Sequence, residues 1–505
     1  MKIRWMTAPV RSLAALSLVV VSACATARPG QAETSEPPAI THVENAGNYA
    51  VQDRFGEDPV SYGVHWDSLA LEADEAGNET TISGTAYIRS CDCEPNMRPV
   101  MFLFNGGPGA SSSPLHFALG PSRRNRQGEE TTFADNQDTL LRVADLVFVD
   151  PVETGFSRSA SPDGESRFLG VEGDVEAVAA FIDHWLEAHD RSGAPVFITG
   201  QSYGGYRLAN MVPRLGELDV RGLVMVSPAL DMGGSNGDAG HVFALPTMAA
   251  TAWRFGKSSI DAESEPEAWE NARVFAESDY LVALQRGDFL EEADKLTIAE
   301  KVAGMTGLPT ALVLEADLRV GTQDFLENVL ADENQLVSRL NTAVTQEKRP
   351  PANPDRPDGA NDPSLGLGRS NKIISDDIGA YLERLTGLTR DDGYRSLNLD
   401  ANFAWDWRRS GKRPVFSFDA TPSLAQFLEQ NEDARLLVFG GYRDLAVTIL
   451  ETQYALSHAG LPQDRVKFEK MVSGHSPFDE EALRAPFAEA IHDFIVTAQD
   501  QEEDQ

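Results

Sequence analysis

Gly200-Gln201-Ser202-Tyr203-Gly204 places a serine between two glycines, directly after the apolar run 196–199 and ahead of a stretch, 206–215, that can form a helix. Glycines at both ends permit a sharp strand-to-helix turn that leaves the hydroxyl exposed above a sheet. A serine hydroxyl is a weak nucleophile until a base takes its proton, and an imidazole does this near neutral pH. His241, His458, His475 and His492 follow Ser202. His458 and His492 fall within helical stretches and His241 begins an inserted cap. His475 lies in Val472-Ser473-Gly474-His475-Ser476-Pro477, a loop directly after a strand-like run, and is the expected base. The acid that orients it belongs in the loop after the preceding strand, where Phe439-Gly440-Gly441-Tyr442-Arg443-Asp444 supplies Asp444. Asp419 and Asp479 are rivals, the first lacking a strand end before it and the second following the histidine. A developing oxyanion needs N–H donors. One is the backbone of Tyr203, and the other comes from the loop Asn105-Gly106-Gly107-Pro108-Gly109. A phosphate cradle is the competing reading of that loop, but the closing Gly-Lys-Ser/Thr is missing.

The elements that must hold these residues are legible as apolar runs. Strand-like stretches at 100–104, 145–149, 195–199 and 223–226 alternate with helical ones. In 171–189, Val175, Val178, Ala179, Ile182 and Leu186 share one helical face. Such alternation predicts a mostly parallel sheet with helices on both faces, and the order Ser, acid, His is that of the α/β-hydrolase fold. The runs 62–71 and 80–88 read as a hairpin before it. The expected divisions are a first sheet part over 59–230, an inserted helix-rich cap over 231–411, a second sheet part over 412–498 and an acidic tail over 499–505. Within the cap, helices are expected over 267–285, 323–340 and 376–385. Strands follow at 435–439 and 465–471, with a helix near 487–497.

With 505 residues, 42% hydrophobic and 24% charged, the chain can build a sizeable core. Its formal charge of −35 excludes nucleic acid as a partner, because neutralising phosphates needs a basic face. Three cysteines cannot make a disulfide framework. Cys91 and Cys93 read as an exposed loop pair with no further ligand to complete a metal site. Lys2, Arg4 and Arg11 precede about eleven mostly apolar residues, too few to span a bilayer, so residues 1–23 read as a signal peptide. Val21-Ser22-Ala23-Cys24 resembles a lipobox, with Cys24 as the acylated residue, while Ala25-Thr26-Ala27 offers an ordinary cleavage site. Either reading makes the protein exported: periplasmic, or a membrane-anchored lipoprotein. Ala25 behind an acylated Cys24 would suit outer-membrane sorting. Residues 24–58 read as a flexible tether.

Taken together, the motifs resemble the serine carboxypeptidase family. Its glycine-rich loop is matched by Asn105-Gly106-Gly107-Pro108-Gly109-Ala110-Ser111-Ser112, its Leu-Gly-Pro stretch by Leu119-Gly120-Pro121, and a third segment by Asp150-Pro151-Val152-Glu153-Thr154-Gly155-Phe156-Ser157. The glycine-rich form looks closest to the bacterial branch. The resemblance implies a triad of Ser202, Asp444 and His475, and oxyanion donors at Gly107 and Tyr203. It also implies a peptide substrate whose terminal carboxylate meets Asn105, Gly106 and Gln201, with no cofactor or metal. Two departures stand out: Gln201 and Ala118 occupy positions where the family carries glutamate. An amide donates at any pH, whereas a glutamate must be protonated to donate. An esterase or acyltransferase on the same fold is therefore the alternative, and a non-catalytic binding protein the third reading.

Overall fold

The computed structural model describes residues 40–71, 79–128, 130–407 and 419–503. The signal segment, Cys24 and the first part of the expected tether lie outside these residues. In chain order the strands of the main sheet are β1 (Ile40–Val51), β2 (Val60–Ala70), β3 (Thr80–Arg89), β4 (Val100–Phe104), β5 (Asp145–Asp150), β6 (Val196–Gln201), β7 (Val220–Val226), β8 (Arg435–Gly441) and β9 (Val466–Met471). Their spatial order is β1-β2-β3-β5-β4-β6-β7-β8-β9, with the short pair Arg158–Ser159 added beside β3. From β5 to β9 all neighbours run parallel, while β1, β2 and β3 form an antiparallel edge. β4, β5 and β6 are buried along their whole length, which is why they read as unbroken apolar runs rather than alternating ones.

Alternation still sorts their side chains. Phe102 and Phe104 point to the core shared with helices α1 (Val171–Ala188) and α2 (Tyr203–Met211). Met101 and Leu103 point the other way, to the core shared with α4 (Asp376–Thr386) and α6 (Glu481–Glu503). A third cluster is built by α3 (Asp238–Arg254) and the elements up to Val337, and it closes against Leu445 and against Ile449 and Leu450 at the start of α5 (Ile449–His458). No helix among the described residues is long and apolar enough to cross a membrane.

Three expectations need correction. The tether reading of 24–58 fails over Ile40–Val51, which is an edge strand. Val43, Tyr49 and Val51 pack on the core at alternate positions, but Asn45, Gly47 and a register shift between Asn45 and Tyr49 broke up the signal. The helix expected over 323–340 ends at Asn328. Asn334 then takes a left-handed conformation, and Gln335–Val337 pairs with Thr345–Glu347 as a small antiparallel ladder. The segment 231–411 is also not one cap. Its first half has its own core, whereas Ile378, Tyr381, Leu382, Leu385 and Tyr394 are part of the main sheet's core. Cys91 and Cys93 are exposed and joined to each other by a disulfide.

Candidate active site

Ser202 follows β6 and precedes α2 with φ 59° and ψ −125°, a backbone conformation that is strained for a residue with a Cβ. The turn is held from three sides: Ser202 N–H donates to Val226 O at 2.9 Å, while Gly205 N–H (2.9 Å) and Ala229 N–H (3.2 Å) donate to Ser202 O. A side chain at Gly200 would collide with the Gly204 carbonyl, and one at Gly204 would stand 3.0 Å from Phe104 O, so each glycine of the motif permits its own close backbone approach. Strand β7 thus supplies the brace for the elbow, and the hydroxyl faces a cavity of about 1580 Å³.

The same cavity is lined by His475, Gln201, Tyr203 and the Asn105-Gly106-Gly107 loop. His475 Nδ1–H donates to Asp444 Oδ2 at 2.6 Å, the carboxylate being able only to accept. Asp444 is fully buried, and its other oxygen accepts from Ala446 N–H at 2.8 Å and Val447 N–H at 3.1 Å. The carboxylate is therefore fixed at both oxygens, and the second imidazole nitrogen is left to take a proton. Rival groups are engaged elsewhere. Asp419 accepts from the N–H and hydroxyl of Thr421. His458 Nδ1 bonds Tyr454 O at 2.8 Å, and His492 stacks on Phe55. His241 lines the cavity, with its Nδ1 on Val320 O at 3.0 Å.

The glycine loop lies directly on the elbow. A Cβ at Gly106 would stand 2.5 Å from Tyr203 N and 2.6 Å from Gly204 N, so only glycine lets the loop approach this closely. As the first residue of α2, Tyr203 has an N–H with no carbonyl inside the helix to bond. Arg207 locks the arrangement from below. Its Nε donates to buried Asp174 at 2.6 Å, Nη1 donates to Asn105 O at 2.7 Å, and the guanidinium lies 5.2 Å from both the Phe104 and Tyr203 ring centres. Asp150 anchors the far end of the loop, accepting from the N–H of Ser112 at 2.8 Å and its hydroxyl at 2.7 Å, and from Tyr394 OH at 3.1 Å. Burial pushes its carboxyl up to about 6 against those hydrogen bonds.

Gln201 behaves differently from the sequence expectation. Its amide donates to His475 O at 3.0 Å and to Ser476 Oγ at 2.7 Å, and its oxygen accepts from Asn105 Nδ2. Both amide hydrogens are thus used to tie the end of β6, beside Ser202, to the His475 loop.

Sequence reasoning missed two contributions. The segment 339–342, within the insertion, clamps the loops that carry Asp444 and His475: His475 N–H donates to Leu340 O at 2.7 Å, Leu445 N–H to Arg339 O at 2.9 Å and Thr342 N–H to Arg443 O at 3.0 Å. Backbone contacts of this kind leave no pattern in residue type. The cavity also holds two carboxyl groups that burial keeps protonated to higher pH than usual. Burial raises Asp479 to about 6, with Glu480 adding to the shift and Arg484 opposing it. Burial raises Glu451 to about 7. Asp479 had been visible as a rival acid, whereas Glu451 carries no motif.

These relations rest on geometry, and comparison with known proteins adds kinship. Residues 86–218 match the serine carboxypeptidase family model. The matched segment contains the glycine loop, Asp150 and the Ser202 elbow, while Asp444 and His475 lie beyond it. Serine carboxypeptidase-like 36 of Arabidopsis thaliana is 33% identical over 149 residues, 27% of this chain and 29% of the relative. Serine carboxypeptidase-like 38 of the same plant is 31% identical over 153 residues, 26% and 30% of the two chains. The matched stretch spans less than a third of these relatives' length. A solved prohormone-processing carboxypeptidase from Saccharomyces cerevisiae has the same fold, with a TM-score of 0.52 at 16% identity, covering 86% of this chain and 91% of that one. The fold is that of the α/β-hydrolases.

Proposed function

We propose that this chain is an exported serine carboxypeptidase that releases C-terminal residues from peptides through an acyl-enzyme. The observation that carries the reading is Ser202 on a strained elbow in the same cavity as His475, whose other nitrogen is held by buried Asp444. His475 Nε2 takes the Ser202 proton as Oγ attacks the scissile carbonyl, and the imidazolium that forms is stabilised by Asp444. The oxyanion is met by the N–H groups of Gly107 and Tyr203. The proton then passes from His475 to the leaving amine, and water repeats the sequence to release the acyl group. Asn105 and Gly106 border the position of the substrate's terminal carboxylate. Gln201 supports that border by holding Asn105 and the His475 loop together. An acylated Cys24 would anchor the enzyme to a membrane through its lipid.

A fluorophosphonate probe will label the wild type and leave Ser202→Ala unlabelled. A folded wild type that takes up no label would refute the acyl-enzyme. A second reading, hydrolysis or transfer of an ester-linked acyl group, is favoured by one observation: both hydrogens of the Gln201 amide are already engaged within the protein. Rates on a blocked dipeptide, its C-terminal amide and a simple ester, at about pH 5 and about pH 7.5 on either side of a typical imidazole pKa, separate the two. Preference for the free carboxylate supports the peptidase, and its absence at both pH values supports the ester. Mass spectrometry of the mature N-terminus decides whether Cys24 carries lipid.

A further inference from the structure

Away from the cavity, the antiparallel pair β1–β2 sets His42 opposite Asp67 and Glu44 opposite His65. Residues two apart on a strand share a face, so four side chains of ligand type stand on two neighbouring rungs of one face. We propose that this edge of the sheet binds a divalent transition-metal ion of the zinc class through His42 Nε2, His65 Nδ1 and a Glu44 carboxylate oxygen.

The distances divide the cluster into ligands and supports. His42 Nδ1 and Asp67 Oδ1 are 2.7 Å apart, a hydrogen-bond length. Two atoms on one tetrahedral zinc, each at about 2.0–2.1 Å from the metal, lie about 3.3 Å from each other. His42 Nε2 and His65 Nδ1 are separated by 3.3 Å. The ligand atoms of His42, Glu44 and His65 all fall within 4.8 Å of one another. Asp67 therefore sits behind the metal position. It fixes the proton on His42 Nδ1 and turns the Nε2 lone pair toward His65, the arrangement by which a carboxylate orients a metal-binding imidazole. The orienting group is itself secured: Asp67 is fully buried and accepts from Trp185 Nε1–H at 3.0 Å, and His189 Nε2 stands 3.2 Å from both of its oxygens. A buried carboxylate held by three aromatic donors is more than the pairing of one edge strand to its neighbour requires.

Imidazole nitrogens suit zinc, copper or nickel better than calcium or magnesium, which prefer oxygen. Three protein ligands leave one position for water on the exposed side of His42 and Glu44. None of the three ligands lines the Ser202 cavity, so the ion has no place in acyl transfer. Its effect is to join β1, the first described strand and one edge of the sheet, to β2 by a bond stronger than the edge ladder. In the absence of an ion, a hydrogen bond between His65 and His42 would account for the 3.3 Å separation.

The test uses untagged full-length protein, stripped with EDTA and titrated with zinc against a chromophoric competitor. One zinc ion per chain is expected, with a thermal midpoint that rises with zinc. His65→Gln and Glu44→Gln should each weaken zinc by at least the about 10–100-fold that follows loss of even an orienting partner, and should remove the thermal shift. Labelling of Ser202 should be unchanged in both, which shows that the variants are folded. Failure of the wild type to take up zinc, or uptake that survives both substitutions, would overturn the proposal.

Discussion

Asp444→Asn tests the proposed relay by exchanging one carboxylate oxygen for an NH₂ group. Asp444 Oδ1 accepts two backbone N–H bonds, from Ala446 and Val447, and only an oxygen can accept them. The asparagine must therefore keep its oxygen on that side and turn its NH₂ toward His475 Nδ1, now occupied by Asp444 Oδ2 at 2.6 Å. An NH₂ donates, so Nδ1 must accept, and the ring's proton moves to Nε2, the nitrogen that has to receive the Ser202 proton. The loop stays hydrogen-bonded while the tautomer becomes wrong. In serine hydrolases with this defect the cost is about 10⁴-fold in kcat, or about 5–6 kcal/mol at about 1.36 kcal/mol per decade. Steady-state kinetics on an activated ester, with the rate of fluorophosphonate labelling as a second readout, would measure it. The thermal midpoint should barely move, because both backbone bonds survive. Asp444→Ala, which leaves those two N–H groups buried and unpaired, should also lose about 1–3 kcal/mol of stability for each. If Asp444→Asn kept more than a tenth of the wild-type kcat at neutral pH, the assignment of this carboxylate would be wrong.

Other consequences follow from the same geometry. Gly106→Ala would drive a methyl group to 2.5 Å from Tyr203 N, lifting the loop off the elbow. A fall of about 10²–10³ in kcat with KM little changed is expected, as for loss of an oxyanion donor, and an unchanged kcat would remove this loop from the oxyanion site. Gln201→Glu would set a carboxylate against His475 O, where only the protonated acid can donate. Its pKa should rise, so activity should persist at acid pH and fall as pH increases; a profile identical to wild type would show that position 201 does not hold the base loop. Asp479 and Glu451 are neutral below about 6 and about 7 respectively, so the cavity gains negative charge between about pH 5 and about pH 8. KM for substrates with a cationic side chain should fall over that range and rise for anionic ones, with Asp479→Asn removing the lower inflection; parallel KM changes for both substrate types would count against it. The folded state holds these two protons more tightly than the unfolded chain does. Their contribution to stability is therefore greatest in acid and is lost as pH rises through about 6 to about 7.

The apolar strands and the elbow were readable from residue order because local rules act on neighbours. The fully buried strands β4 to β6 need unbroken apolar runs, and a serine at positive φ between a strand and a helix needs glycines beside it. Ser202, Asp444 and His475 could be chosen in one dimension because a parallel sheet brings successive strand ends to one rim. The edge strand β1 could not be read, since pairing to β2 stabilises it more than its own few apolar residues do. Only the folded chain decided how Asp444 and His475 are held. The clamp from residues 339–342 acts through main-chain groups, to which side-chain identity is irrelevant. The protons on Asp479 and Glu451 are retained because burial removes water from them, and burial is a property of the assembled cavity. Gln201 spends its amide within the protein because His475 O and Ser476 Oγ arrive beside it from 274 and 275 residues away. No local pattern encodes an encounter across that separation.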